Sequence, residues 1–142
     1  MSEFDLPDVN VLVALLHPQH VHHQAAQAWF AATASFATTA ITEAGFLRVS
    51  LNPAVAGLPV PGSAALASLG SVRAQPRWRF LADDSSLAEA HIGLSGLVGF
   101  RQVTDLHLVN LAARHAARLI TFDTKIRPVL ASGDRDVVHV LS

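Results

Sequence analysis

The chain has no cysteine, which excludes disulfides and thiolate metal sites and suits a reducing compartment. Charge is also scarce. Only 15% of residues are charged, and the net charge is −1, so nothing pulls the whole molecule toward a polyanion; binding to nucleic acid would have to come from a local patch. No apolar run is long enough to span a bilayer, and the longest early one, Val11 to Leu16, falls far short. The opening MSEFDLPD is acidic and lacks the basic start of a signal peptide. A cytoplasmic protein with no membrane association is the expectation. Internal repeats are absent, as is any polar low-complexity linker.

What the chain has in plenty is apolar residues, 51% of 142. That length fits one domain, residues 1–142, able to bury about 70% of its unfolded surface. The apolar excess suggests that some surface enters a partner interface, most simply a homodimer. The stretch Val103 to Asp123, VTDLHLVNLAARHAARLITFD, reads as a largely buried helix followed at once by a buried strand. Thr104 is the candidate N-cap, and Asp105 sits in the first turn, where the helix dipole favours an anion. Asp123 falls at the carboxyl end of the strand, the edge at which open α/β sheets bind ligands.

Earlier elements follow the same logic. Phe4 to Pro7 reads as a first strand ending at Asp8. Val9 to Leu16 is apolar but for Asn10 and either extends that strand or begins a helix. Val21 to Ala32 is predicted helical, with Val21, Ala25, Ala28, Ala32 and Trp29 on one face. Phe36 to Thr39 is a short strand, followed by a helix with Thr42 near its start and Glu43 toward its core-facing side. From Pro53 to Pro76 prolines and glycines accumulate around an alanine-rich helix, Ser63 to Val72, which reads as a mobile flap. Arg77 to Leu81 alternates as an edge strand. Asp83-Asp84-Ser85-Ser86 introduces another helix, with Ser86 and Glu89 at capping-box spacing. Ile126 to Leu130 and a last strand, Val137 to Leu141, complete an alternation that predicts an α/β fold of three layers, a mainly parallel central sheet flanked by helices.

Eleven residues are acidic, and four of them stand at element ends or core edges: Asp8, Glu43, Asp105 and Asp123. Singly, each has an ordinary explanation as a turn, cap or surface residue. Together they would meet at the carboxyl edge of one sheet, and clustered carboxylates are tolerated only where a cation or proton compensates. All-oxygen ligands favour Mg²⁺ or Mn²⁺ over zinc. Asp83-Asp84 is better explained by helix-start charge. His17, His20, His22 and His23 are better explained by a solvated helix start than by zinc.

These positions form a pattern. LPDVNVLVALL, TEAGFLRVSLNP and VTDLHLVNLAARHAARLITFD resemble the three acidic blocks of PIN-domain ribonucleases, and more narrowly the VapC-type toxins of bacterial toxin–antitoxin pairs. The resemblance covers nearly the whole chain and is weakest over Pro53 to Pro76. It implies a PIN-like fold and a metal-dependent endoribonuclease that hydrolyses RNA with a metal-activated water. It also implies catalytic roles for Asp8, Glu43, Asp105 and Asp123, metal ligation by Asp8, Asp105 and Asp123, and a cognate antitoxin as partner. Glu43 would act through a water. Asn10 and Thr121 would orient carboxylates, and Arg73, Arg77, Arg79, Arg101, Lys125 and Arg127 are candidates for phosphate contacts. One departure stands out: many relatives carry a further acid after the last, where this chain has Thr124-Lys125. The competing readings are a receiver-like or other Mg²⁺-binding α/β module and a catalytically silent PIN-like interaction module.

Overall fold

The computed structural model describes residues 2–56 and 60–142. Five short strands form one sheet: β1 (Asp5–Pro7), β2 (Phe36–Thr38), β3 (Trp78–Phe80), β4 (Arg118–Thr121) and β5 (Val138–Val140). Their order is β3-β2-β1-β4-β5 and every pairing is parallel. Parallel neighbours need crossovers, which here carry α1 (Val9–Leu16), α2 (His23–Ala32), α3 (Ala40–Ser50), α4 (Pro53–Ala56), α5 (Gly62–Arg73), α6 (Val103–Arg114) and α7 (Ile126–Val129). Side-chain alternation along the strands feeds two cores. Leu6, Ala37 and Leu119 pack with Leu106, Leu108, Val109 and Leu111 of α6, whereas Phe36 and Ile120 pack with Val11 and Ala14 of α1 and Ala26 and Trp29 of α2. Helices on both faces of a parallel sheet make the three expected layers.

Asp8 resolves the ambiguity after β1. Its Oδ1 accepts from Val9 N at 2.7 Å, so Asp8 is the N-cap of a helix and the apolar run turns away from the sheet. α3 begins with a reciprocal cap: Thr39 Oγ1 accepts from Ile41 and Thr42 N, while Thr42 Oγ1 accepts from Thr39 N. α1 and α3 approach closely at Gly45, where a Cβ would lie 2.5 Å from Val9 Cγ2. At the outer edge, α5 packs Leu69 against Leu12, Val13 and Phe46, so the expected flap is anchored in the core. Residues 57–59 of that region lie outside the described residues.

Three expectations are corrected. α6 starts at Val103, with Gln102 as N-cap after a 3-10 turn, Phe100–Gln102; Thr104 lies within the helix. Gln102 Oε1 accepts from Val98 N and Gly99 N, which fixes the start two residues early. Val21 is outside α2 and 85% exposed, and the inward face is Ala26 and Trp29. Alanines scattered around a helix discriminate poorly between faces, and the indole decides. Finally, Ser86 caps only a 3-10 turn, Leu87–Glu89. Beyond it the chain gives its backbone donors to side chains, His91 N to Asn110 Oδ1 and Gly93 N to Asp134 Oδ2, which replaces helical bonding. Gly96 presses against Val129, whose carbonyl oxygen would lie 2.0 Å from an added Cβ. Among the described residues no helix is long and apolar enough to cross a membrane.

Candidate active site

β1 and β4 pair residue for residue, Asp5 with Arg118 through Pro7 with Ile120. This register sets Asp8 beside Thr121 at the carboxyl edge of the two central strands. The Thr121 hydroxyl is buried and used twice: it donates to Asp8 Oδ2 at 3.1 Å and accepts from Asp123 N at 3.0 Å. Asp123 Oδ1 accepts from Lys125 N at 2.8 Å, closing a tight turn after the strand. Asp105 enters from the first turn of α6. It shares with Asp123 a cleft of about 300 Å³, floored by Leu106, Ile126 and Val129 and edged by Arg101, Gln102 and Lys125.

The electrostatics tie three aspartates together. Burial raises the Asp8 carboxyl above its ordinary value, and Asp123 adds repulsion against the opposing hydrogen bonds from Val9 and Thr121. Asp105 is pushed up to about 6, by burial first and then by the charges of Asp8 and Asp123. Sequence reasoning thus placed three of its four acids in one neighbourhood. Glu43 has different company. Its Oε2 accepts from Thr38 Oγ1 at 2.5 Å and from Arg73 Nη1 at 2.6 Å. The Arg73 guanidinium in turn lies 4.3 Å from the Trp78 ring, whose Nε1 donates to Thr38. The fourth acid is therefore held by a cation of its own chain. Among the described residues, no three carboxylates or imidazoles surround one point closely enough to hold a metal ion as the side chains stand.

The supporting residues divide. Thr121 braces Asp8, whereas Asn10 is exposed on α1. Arg77 donates to the carbonyls of Phe30 and Thr33 and lies over the Phe30 ring, a structural use. Arg79 lies over Phe4 and Arg73 is committed to Glu43. Of the six cations considered, Arg101 and Lys125 line the acidic cleft. Asp83 and Asp84 are not helix-start charges: they reach α6, with His107 Nε2 2.7 Å from Asp83 and His115 Nε2 2.6 Å from Asp84, beside Arg114. The hydrogen bond from His115 holds Asp84 below the usual carboxylate range. The early histidines spread apart, His17 to Ser50, His23 to the Ala14 carbonyl and His22 stacked on Phe122. Sequence reasoning missed Asp5, a buried acid that accepts from Trp29 Nε1, Thr33 Oγ1 and Arg118 Nε; lying inside a strand, it gave no edge signal. It also missed Gln102 in the cleft wall, which has no charge to mark it.

Known proteins resemble this chain in sequence. The sequence profile of the PIN domain matches residues 6–129, a span that includes all four acids. Ribonuclease VapC38 of Mycobacterium tuberculosis is 43% identical over 139 residues, 96% of this chain and 97% of its own length. Ribonuclease VapC39 of the same species is 43% identical over 131 residues, 90% of this chain and 94% of its own. Ribonuclease VapC29 is 36% identical over 120 residues, with 84% and 85% covered. A parallel sheet with acids at its carboxyl edge, a profile that spans most of the chain and full-length relatives agree, and the chain belongs to the PIN-domain family.

Proposed function

We propose that residues 1–142 form a single PIN domain acting in the cytoplasm as a metal-dependent endoribonuclease, the toxin of a toxin–antitoxin pair. The observation that supports it most directly is the set of partly buried, mutually repelling aspartates at the β1–β4 edge, in a cleft rimmed by Arg101 and Lys125. Uncompensated carboxylates of this kind are costly unless a cation joins them, and an all-oxygen donor set fits Mg²⁺ or Mn²⁺. Asp8, Asp105 and Asp123 are the ligands in this reading. When bound, a divalent cation supplies charge neutralisation at the phosphate and acidity to a water.

The chain's own residues do the rest. Thr121 fixes the Asp8 carboxylate and the turn that carries Asp123, so two ligands are oriented before substrate arrives. Arg101 and Lys125 draw the phosphodiester into the cleft. Glu43, once released from Arg73, orients the attacking water; attack at phosphorus then breaks the bond to the leaving ribose oxygen. An antitoxin peptide covers the cleft with a basic side chain facing the carboxylates. Apolar surface exposed at Leu51, Val55 and Leu66 supports a homodimer.

The Glu43–Arg73 ion pair favours one rival, a silent PIN-like module whose fourth acid is permanently occupied. Cleavage of total RNA by the purified chain in Mg²⁺ or Mn²⁺ separates the two. Wild type should cut, and Asp8→Asn and Asp123→Asn should each lose about a hundredfold or more, the scale of removing one electrostatic stabiliser. A wild type inert with both metals, or variants as active as wild type, rejects the nuclease reading.

A further inference from the structure

We infer that Phe100 is a stacking platform for an unpaired nucleobase of the RNA held in the Asp105–Asp123 cleft, an inference that rests on the ribonuclease reading above. Phe100 is 84% exposed, and Val98 beside it is 83% exposed. A bare phenyl ring in water is unfavourable and wants a cover. The ring opens the 3-10 turn Phe100–Gln102, and Gln102 Oε1 ties the turn to the backbone just before it, accepting from Val98 N at 2.9 Å and Gly99 N at 3.1 Å. The platform is therefore pre-organised before anything lands on it.

Its position selects the occupant. The next two residues, Arg101 and Gln102, line the cleft with Asp105, Asp123 and Lys125, and the Arg101 guanidinium lies 5.7 Å from the Phe100 ring centre. A cation and an aromatic face side by side match the two halves of a nucleotide, phosphate and base, in a way that an apolar partner alone would not. Phenylalanine has no hydrogen-bonding edge, so it reads the face of a base and not its identity, and a larger purine face covers more of it. Bases inside a duplex offer no free face. The target is thus an unpaired, preferably purine, nucleotide beside the scissile phosphate, as found in the loops of folded RNA.

The test compares charge with bases. In the full-length chain carrying Asp123→Asn to prevent turnover, with Mg²⁺ present, affinity is measured for labelled oligoadenylate, oligouridylate and an abasic ribose-phosphate strand of the same length. Oligoadenylate should bind tightest and the abasic strand weakest. Phe100→Ala should weaken oligoadenylate binding by about tenfold while leaving the abasic strand unchanged, and Phe100→Trp should restore it. Equal loss on all three strands, no preference for bases in the parent, or a change of oligomeric state with base preference intact each overturns the inference. In the last case the patch joins two copies of the chain. A wild type that cuts RNA while Phe100→Ala is indifferent defeats only the stacking, whereas a wild type that cuts nothing defeats the ribonuclease reading.

Discussion

At the scale of single residues the protein spends stability on its aspartates. Asp105 titrates near 6 in the fold against 3.8 for an ordinary carboxyl. The folded state therefore holds that proton more tightly than the unfolded chain does. Its contribution to stability is fullest below about pH 4 and is lost as pH rises through about 6. Asp8 is shifted in the same direction. Asp105→Asn should leave melting unchanged at pH 4 and raise the metal-free protein's stability at pH 8 by about 1–2 kcal/mol, after discounting for solvent screening. Thermal melts in chelator across that range read it directly; a variant no more stable than wild type at pH 8 contradicts the shared charge. Mn²⁺ should stabilise wild type more than the variant. Asp8, Asp105 and Asp123 were legible in the sequence because each interrupts an apolar run at an element end. The cation opposite Glu43 was not, since Arg73 lies thirty positions away and only the fold brings it back.

At the scale of elements, the alanine-rich α5 was expected and is present. The run after Asp8 stayed open between strand and helix until its cap decided, and alanines hid which face of α2 turns inward. β2 to β5 were found because short β-branched and aromatic runs between turn residues admit few alternatives. The segment between β3 and α6 was misread because its backbone is satisfied by side chains distant in sequence, Asn110 and Asp134. The end of α6 holds a feature that no periodicity reveals. Ala116 has φ 55°, with Ala117 N donating to Ala112 O at 2.8 Å and Ala116 N to Ala113 O. This is a Schellman ending with alanine where glycine is at ease. Ala116→Gly relieves the left-handed strain, partly offset by the greater freedom of glycine in the unfolded chain, and should stabilise by about 0.5–1 kcal/mol. Chemical denaturation measures it, and a destabilised variant would show that the turn is held by something other than its torsion angle.

For the whole molecule, the scarcity of charge becomes a statement about binding. With a net charge of −1 and two cations in the cleft wall, few counterions are released when a strand docks. The logarithm of the RNA association constant should fall against the logarithm of salt with a slope of about −2 or shallower. Titrations at several salt concentrations give that slope, and one as steep as −5 would mean that the arginines assigned to Glu43, Phe4 and Phe30 bind phosphate instead. The layered architecture was visible in the alternation of elements; the strand order was not, because neighbours such as β1 and β4 are set by packing of both sheet faces at once. That pairing has a consequence in time. Asp8 and Thr121 lie 113 positions apart, yet one threonine hydroxyl joins Asp8 to the turn that carries Asp123. Contacts so distant in sequence form late and carry a high loop-closure cost. A copy folded only in part holds these aspartates still apart, and their meeting is among the last events of folding.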